Sequence, residues 1–266
     1  MPSPQPSGTP GTVILESPAP LAIPAVHHDG WASDFPWLVQ GTTTRGGDPD
    51  PFDLRLFGPA PSGEVLSRWE TLAGALDMQG VVHARQVHGP RVHLHGDPHD
   101  GVRLASPADG HATRARGLLL TVGTADCVPV FLVEPAVRWV AMVHAGWRGV
   151  AAGILEAAVD LFVRRVGVSP EGLHLHLGPA ICGACYEVGP EVHGALGLPV
   201  PGGPTPVDLR GVLARRAVGA GVRGARITRS GQCTKCGPAP FFSHRGGDAG
   251  RQVGFIGVRE RAGDLP

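Results

Sequence analysis

The stretch Gly117–Gly149, GLLLTVGTADCVPVFLVEPAVRWVAMVHAGWRG, decides the fold. Leu118–Val122, Val128–Val133 and Arg138–Val143 are near-continuous apolar runs of strand length, the pattern of strands covered on both faces. Cys127 stands at the start of the second run and His144 at the end of the third. Gly146 and Gly149 bracket Trp147-Arg148, after which Val150, Ile154, Leu155, Ala158, Val159, Phe162 and Val163 share one helix face, predicting a helix that ends near Gly167. HAGWRG is thus a strand-to-helix turn, and such a turn aims backbone N–H groups at anions, with Arg148 placed to assist.

Working outward, Ser62–Asp77 carries Val65, Leu66, Trp69, Leu72 and Leu76 at helical spacing with Ser62 placed as its cap. Val81–His95 predicts two short strands about the turn His88-Gly89-Pro90, which leaves His88 able to project into a site. His93 and His95 share one strand face, as do His174 and His176, and both pairs are expected in solvent. Trp31–Gln40 should enter the core, and GTTTRGGD (41–48) follows as a polar loop bearing Arg45. Downstream, Asp208 is placed to cap a helix through Leu209, Val212, Leu213 and Val218, and strands are expected at Arg226–Ser230 and Gly254–Val258. Residues 1–24, rich in Pro, Ser, Gly and Ala apart from the short VILE run Val13–Glu16, are expected to form a disordered tail, leaving 25–266 as a single catalytic domain.

With 266 residues and 42% hydrophobic content the chain can build a sizeable core. Lys+Arg and Asp+Glu are both 23, so no net charge draws it to nucleic acid or a membrane surface, and a small neutral or locally anionic substrate fits better. Five cysteines, an odd number, and an N-terminus without the basic start and apolar stretch of a signal peptide predict a reduced, cytoplasmic protein. No apolar run reaches the roughly 18 residues of a membrane span.

The cysteines admit several readings. Cys182-x-x-Cys185 and Cys233-x-x-Cys236 form two CxxC pairs, the pattern of a structural zinc site. Their separation exceeds that of a compact zinc ribbon and a core this large needs no staple, so this reading is set behind the others. A catalytic zinc on His88, Cys127 and His144 would use three protein ligands and keep a fourth position for water or substrate, which it acidifies. The same groups without metal would make Cys127 a nucleophile and His144 its base. The residue pattern leaves these two open. A cupredoxin-type laccase needs more His-x-His motifs than the two here and a cysteine flanked by histidines, whereas Asp126 and Val128 flank Cys127.

RQVHG (Arg85–Gly89), TADCVPV (Thr124–Val130), VHAGWRG (Val143–Gly149), GPAICGACYEVG (Gly178–Gly189) and CTKCGPAPFFSHRGG (Cys233–Gly247) together resemble the YfiH family. That family is variously described as laccase-like polyphenol oxidase, peptidoglycan editing factor and purine nucleoside phosphorylase. The resemblance runs from about Trp37 to Val258 and implies an α/β fold, a layered α/β/β/α sandwich. It implies zinc on His88, Cys127 and His144, with copper as the alternative metal. It brings Arg45 toward the site, from a loop similar to the family's STRxGG, and Asp109, from ADGHAT (Ala108–Thr113). Arg45, Arg148 and Asp109 are then candidates for substrate or phosphate, and Cys127, His144 and Arg45 for catalysis. The family usually ends FFSYRR, where this chain has His244 and Gly246. The activity implied is phosphorolysis of purine nucleosides (adenosine, inosine, methylthioadenosine), with adenosine deamination related to it. A cysteine hydrolase editing peptidoglycan precursors, a copper polyphenol oxidase and a non-catalytic metal-binding protein are the alternatives.

Overall fold

A computed structural model describes residues 8–47, 49–58 and 61–260. The first part of the chain forms β1 (Thr12–Ile14), β2 (Ser17–Pro18), β3 (Ala25–His27), α1 (Asp29–Asp34), β4 (Leu38–Thr43) and α2 (Ser62–Ala75). Then come β5 (Gly80–Ala84), β6 (Val92–His95), β7 (Gly101–Ala105), β8 (Gly110–Thr113), β9 (Leu118–Thr124), β10 (Val128–Glu134) and β11 (Trp139–Ala145). The last part holds α3 (Trp147–Ala151), α4 (Ile154–Leu161), β12 (His174–Leu177), β13 (Glu187–Val188), α5 (Pro190–Ala195), β14 (Thr205–Pro206), α6 (Leu209–Gly219), β15 (Ile227–Ser230) and β16 (Gln252–Val258).

Two seven-stranded sheets result, ordered β1-β15-β12-β10-β11-β8-β6 and β2-β3-β4-β16-β9-β5-β7. Side-chain alternation along their strands builds the layers. Val128, Val130 and Leu132 of β10 pack with Ile154, Leu155 and Ala158 of α4 and Leu213 of α6. Phe131 and Val133, pointing the other way, meet Leu118, Leu120 and Val122 of β9 between the sheets. Leu119 of β9 and Phe255 of β16 lie under Trp69 and Leu72 of α2. Every layer thus buries an apolar face on the next, giving the α/β/β/α sandwich and explaining why β9 and β10 read as unbroken apolar runs.

The strands that look like one continuous block in the sequence belong to different sheets. From β5 to β10 the chain changes sheet at every connection. The connections leaving β5, β7 and β9 lie at one end of the sandwich, and they carry His88, Asp109 and Cys127. β11 runs antiparallel to β10 with His144 opposite Pro129, which brings His144 to that same end.

Some expectations need correction. The helix expected from Val150 to Gly167 is divided: Gly153 takes a left-handed conformation (φ 83°) between α3 and α4, and a π-helical turn, Phe162–Val166, closes on left-handed Gly167. Ser62 begins α2 as its first helical residue rather than as its cap, the cap position being Pro61. Asp208 occupies the cap position of α6 without a capping side-chain hydrogen bond.

The disordered tail expected over residues 1–24 fails over residues 8–24; residues 1–7 lie outside the described residues. β1 pairs in parallel with β15, and β2 pairs with β3. Glu16 is buried, its Oε1 3.0 Å from His176 Nε2 and its Oε2 accepting from Ser230 Oγ at 2.7 Å. His176, expected in solvent, is therefore a core residue, 1% exposed. Burial pushes the Glu16 carboxyl up, but the hydrogen bond and charge of His176 and the bond from Ser230 outweigh it and hold the group below its ordinary value. Glu16→Ala is expected to cost about 2–4 kcal/mol in urea unfolding, because His176 and Ser230 lose a buried acceptor. Since the folded group titrates lower than the unfolded one, this cost is full above the ordinary carboxylate range and closes as pH falls through the folded value. A cost that does not change with acid would exclude the carboxylate as its source.

Candidate metal centre

Asp109 organises the site. Its carboxylate is fully buried and accepts from three successive backbone amides, Val87 (3.0 Å), His88 (2.9 Å) and Gly89 (2.9 Å). These bonds hold His88 in a left-handed conformation (φ 58°), which is unusual for a residue with a side chain. The same carboxylate lies 2.9 Å from His144 Nδ1, which leaves Nε2 of that ring for another partner. Burial pushes the Asp109 carboxyl up, but His144 and the amides of Gly89 and Val87 outweigh it and keep the group below its ordinary value.

His88, Cys127 and His144 each offer one ligand atom, all within 4.8 Å of one another. The two rings meet edge to face with centroids 4.9 Å apart. Gly146 closes the back of the cluster: a Cβ there would lie 2.9 Å from both Cys127 Sγ and His88 Cδ2. A thiolate, two imidazoles and a carboxylate behind one of them form a donor set that suits a borderline-soft divalent metal, and the Asp109–His144 pair is the usual support of a histidine ligand.

The electrostatics fit a ligand-forming thiolate. Burial pushes the Cys127 thiol up, but the charge and hydrogen bond of His144, helped by His88, bring it down to about 6. Burial lowers His144, but Cys127 and Asp109 outweigh it and raise the ring to about 9. Without metal, Cys127 and His144 therefore form a thiolate–imidazolium pair near neutral pH. Site-resolved alkylation of Cys127 in metal-free protein is expected to rise through about pH 6. A profile centred near the ordinary thiol value of about 8.5 would exclude the pair.

Asp126 sets the approach of Cys127. It is left-handed (φ 87°), its Oδ1 accepts from Thr234 Oγ1 and its Oδ2 from the Arg245 amide, both at 2.6 Å, and its carbonyl accepts from Ile181 N at 3.1 Å. Gln86 joins the neighbouring connection by reciprocal 2.8 Å bonds with the backbone of Gly123.

The cluster opens on a cleft of about 390 Å³, within the usual range for small-molecule sites. His88, Cys127, His144, Arg55, Arg85 and His244 are among its lining residues. Neither Arg45 nor Arg148 lines it. Arg45 pairs with Asp248 at 3.3 Å and lies over Phe242, while the exposed Arg148 stacks on Trp147 at 4.3 Å. Arg55, Gln86 and Asp126 escaped the sequence reading. Gln86 and Asp126 sit inside quoted motifs, RQVHG and TADC, whereas nothing around Arg55 marks it. The four other cysteines, set aside because their pairs are far apart in the chain, also converge. The His-x-His pairs contribute to neither group among the described residues.

Fold and site together define a two-sheet sandwich with a Cys/His cluster of metal-ligating geometry in an open cleft. The chain belongs to the family described as multi-copper polyphenol oxidoreductase laccase, whose family model matches residues 60–259. It is 34% identical over 262 residues to the purine nucleoside phosphorylase YlmD of Geobacillus stearothermophilus, covering 87% of this chain and 95% of that one. It is 35% identical over 215 residues to an adenosine deaminase, RL5, of an unknown prokaryotic organism, covering 73% and 81%. The crystal structure of YfiH from Bacillus licheniformis superposes with a TM-score of 0.80 at 29% identity, covering 90% of this chain and 99% of that one. Resemblance to the YfiH family and the layered α/β fold both stand. No helix among the described residues is long and apolar enough to cross a membrane.

Proposed function

We propose that this protein is a zinc-dependent purine nucleoside phosphorylase acting on adenosine, inosine or methylthioadenosine. The observation that carries the reading is the His88–Cys127–His144 cluster, backed by Asp109, at the wall of an arginine-bearing cleft. Zinc, when bound, supplies a Lewis acid and a fixed positive charge beside the substrate.

The remaining work falls to the chain. Phosphate needs charged donors, and Arg55 and Arg85 line the cleft; Arg55 Nε is buried and meets no partner among the described residues. Arg45 and Arg148, first candidates for this role, stand off the lining. Arg45 instead ties its loop to Asp248, and Asp109 serves as a positioning residue for His144 and His88. In phosphorolysis a phosphate oxygen bonds to ribose C1′, the C1′–N9 bond breaks, and the departing purine takes a proton. His244, on the cleft wall, is placed to hold that proton.

The experiment is incubation with adenosine and phosphate, resolving adenine, ribose 1-phosphate and inosine against a Cys127→Ala control. Adenine and ribose 1-phosphate in equal amounts are expected; neither appearing above the control sinks the reading. The similarity to RL5 favours a second reading, adenosine deamination, which gives inosine without any need for phosphate.

A further inference from the structure

The strands β12 and β15 are parallel neighbours, with Leu175 opposite Ile227 and Leu177 opposite Arg229. Each runs out, at the same end, into a CxxC turn, and the backbones stay together through a parallel bridge between Ala180 and Cys233. Four sulfurs, from Cys182, Cys185, Cys233 and Cys236, consequently lie within 4.8 Å of one another. We infer that these four cysteines form a second, closed zinc site that braces the residue preceding Cys127, an inference independent of the proposed reaction.

The spacing suits one tetrahedral ion, for which zinc is the common choice on four thiolates, and excludes a disulfide or a multi-iron cluster. Zn–S bonds of about 2.3 Å in a tetrahedron place sulfurs about 3.8 Å apart, and Cys182 Sγ and Cys236 Sγ are 3.8 Å apart. A disulfide needs about 2.05 Å. Four sulfurs this close surround a single ion and leave no room for a multi-iron cluster. The backbone favours a thiolate at Cys233: the amides of Cys182 and Cys236 point at its Sγ, at 3.2 and 3.5 Å. Gly237 completes the second turn, its amide bonding to the Cys233 carbonyl at 2.9 Å, and a Cβ there would lie only 2.4 Å from that oxygen. Arg210, a buried guanidinium that donates to the Gln232 carbonyl at 2.7 Å, adds a positive charge that Cys233 and Cys182 feel.

The site's consequence reaches Cys127 through Asp126. The carbonyl of Asp126 is held by Ile181, next to the first CxxC turn, and one carboxylate oxygen by Thr234, inside the second, while the other takes the amide of Arg245 further along the chain. An ion on the four sulfurs locks those turns together, and so positions the left-handed residue that precedes Cys127.

The test is a metal count on the full chain purified under reducing conditions. Two zinc ions per chain are expected. Cys185→Ser/Cys236→Ser should retain one, and His88→Ala/His144→Ala should also retain one. Cobalt(II) in the latter variant should show the charge-transfer bands of four thiolates. If the serine variant does not fold, the wild-type count by native mass spectrometry and the cobalt spectrum of the histidine variant still decide. A single zinc that disappears only with the histidines overturns the inference, as does bound iron or a disulfide between the two turns in non-reducing peptide maps. Because the readout is metal rather than turnover, failure of the phosphorylase reading leaves this result untouched.

Discussion

Asp109→Ala is expected to weaken zinc binding at the proposed His88–Cys127–His144 centre by about 10–100-fold, the usual effect of removing the carboxylate behind a histidine ligand. It should also cost about 3–6 kcal/mol of stability, since three backbone amides and His144 lose one shared acceptor. Asp109 holds two ligand-bearing segments at once: the amides of residues 87–89 carry His88, and Nδ1 belongs to His144. Asp109→Asn keeps the shape but loses the charge, and should fall between wild type and alanine. Chelator competition reads the affinity, and urea unfolding of metal-free protein reads the stability. Because the folded Asp109 carboxyl titrates below its ordinary value, with the bonds from His144 and the amides overcoming the burial that raises it, the stability difference is full above the ordinary carboxylate range. It closes as pH falls through the folded value. Unchanged zinc affinity in Asp109→Ala would remove the carboxylate from the centre.

Gly146→Ala separates the geometry of the centre from the stability of the fold. Gly146 has φ −77° and ψ 163°, a conformation open to alanine, so any effect is steric. The added methyl would lie 2.9 Å from Cys127 Sγ and 2.9 Å from His88 Cδ2, and it can fit only by driving both ligands away. Overpacking of this kind costs about 1–3 kcal/mol. Its larger expected effect is a loss of zinc affinity of at least about 100-fold, since two ligands move together, beyond what removal of a supporting residue produces. A variant that binds zinc as wild type does would show that Cys127 and His88 do not converge on one ion.

The placement of individual residues shows what could be read from the chain and what could not. Leu118–Val122 and Val128–Val133 were legible as fully covered strands because both faces are apolar. Their assignment to opposite sheets was not, because periodicity describes the faces of a strand and not its partners. Composition made residues 8–24 look unstructured, yet a parallel pairing and the buried Glu16 hold them. Arg45 and Arg148 entered through motif position, while the cleft is lined by Arg55 and Arg85, one of them outside any motif. The two CxxC pairs are far apart along the chain and yet meet, because separation in sequence says little once two parallel neighbours end side by side.

The sequence by itself determined the chemistry on offer: a thiol and two imidazoles in compact motifs, apolar runs that require a sheet covered on both faces, and two cysteine pairs. Tertiary structure alone decided which of these groups meet. Repeated crossing between two sheets puts the connections after β5, β7 and β9 at one end, so that Asp109 joins His88 to His144 beside Cys127. Parallel pairing of β12 with β15 brings the four remaining sulfurs together. Local pattern records which faces need burial, and the partner that buries each face is set by contacts distant in the chain.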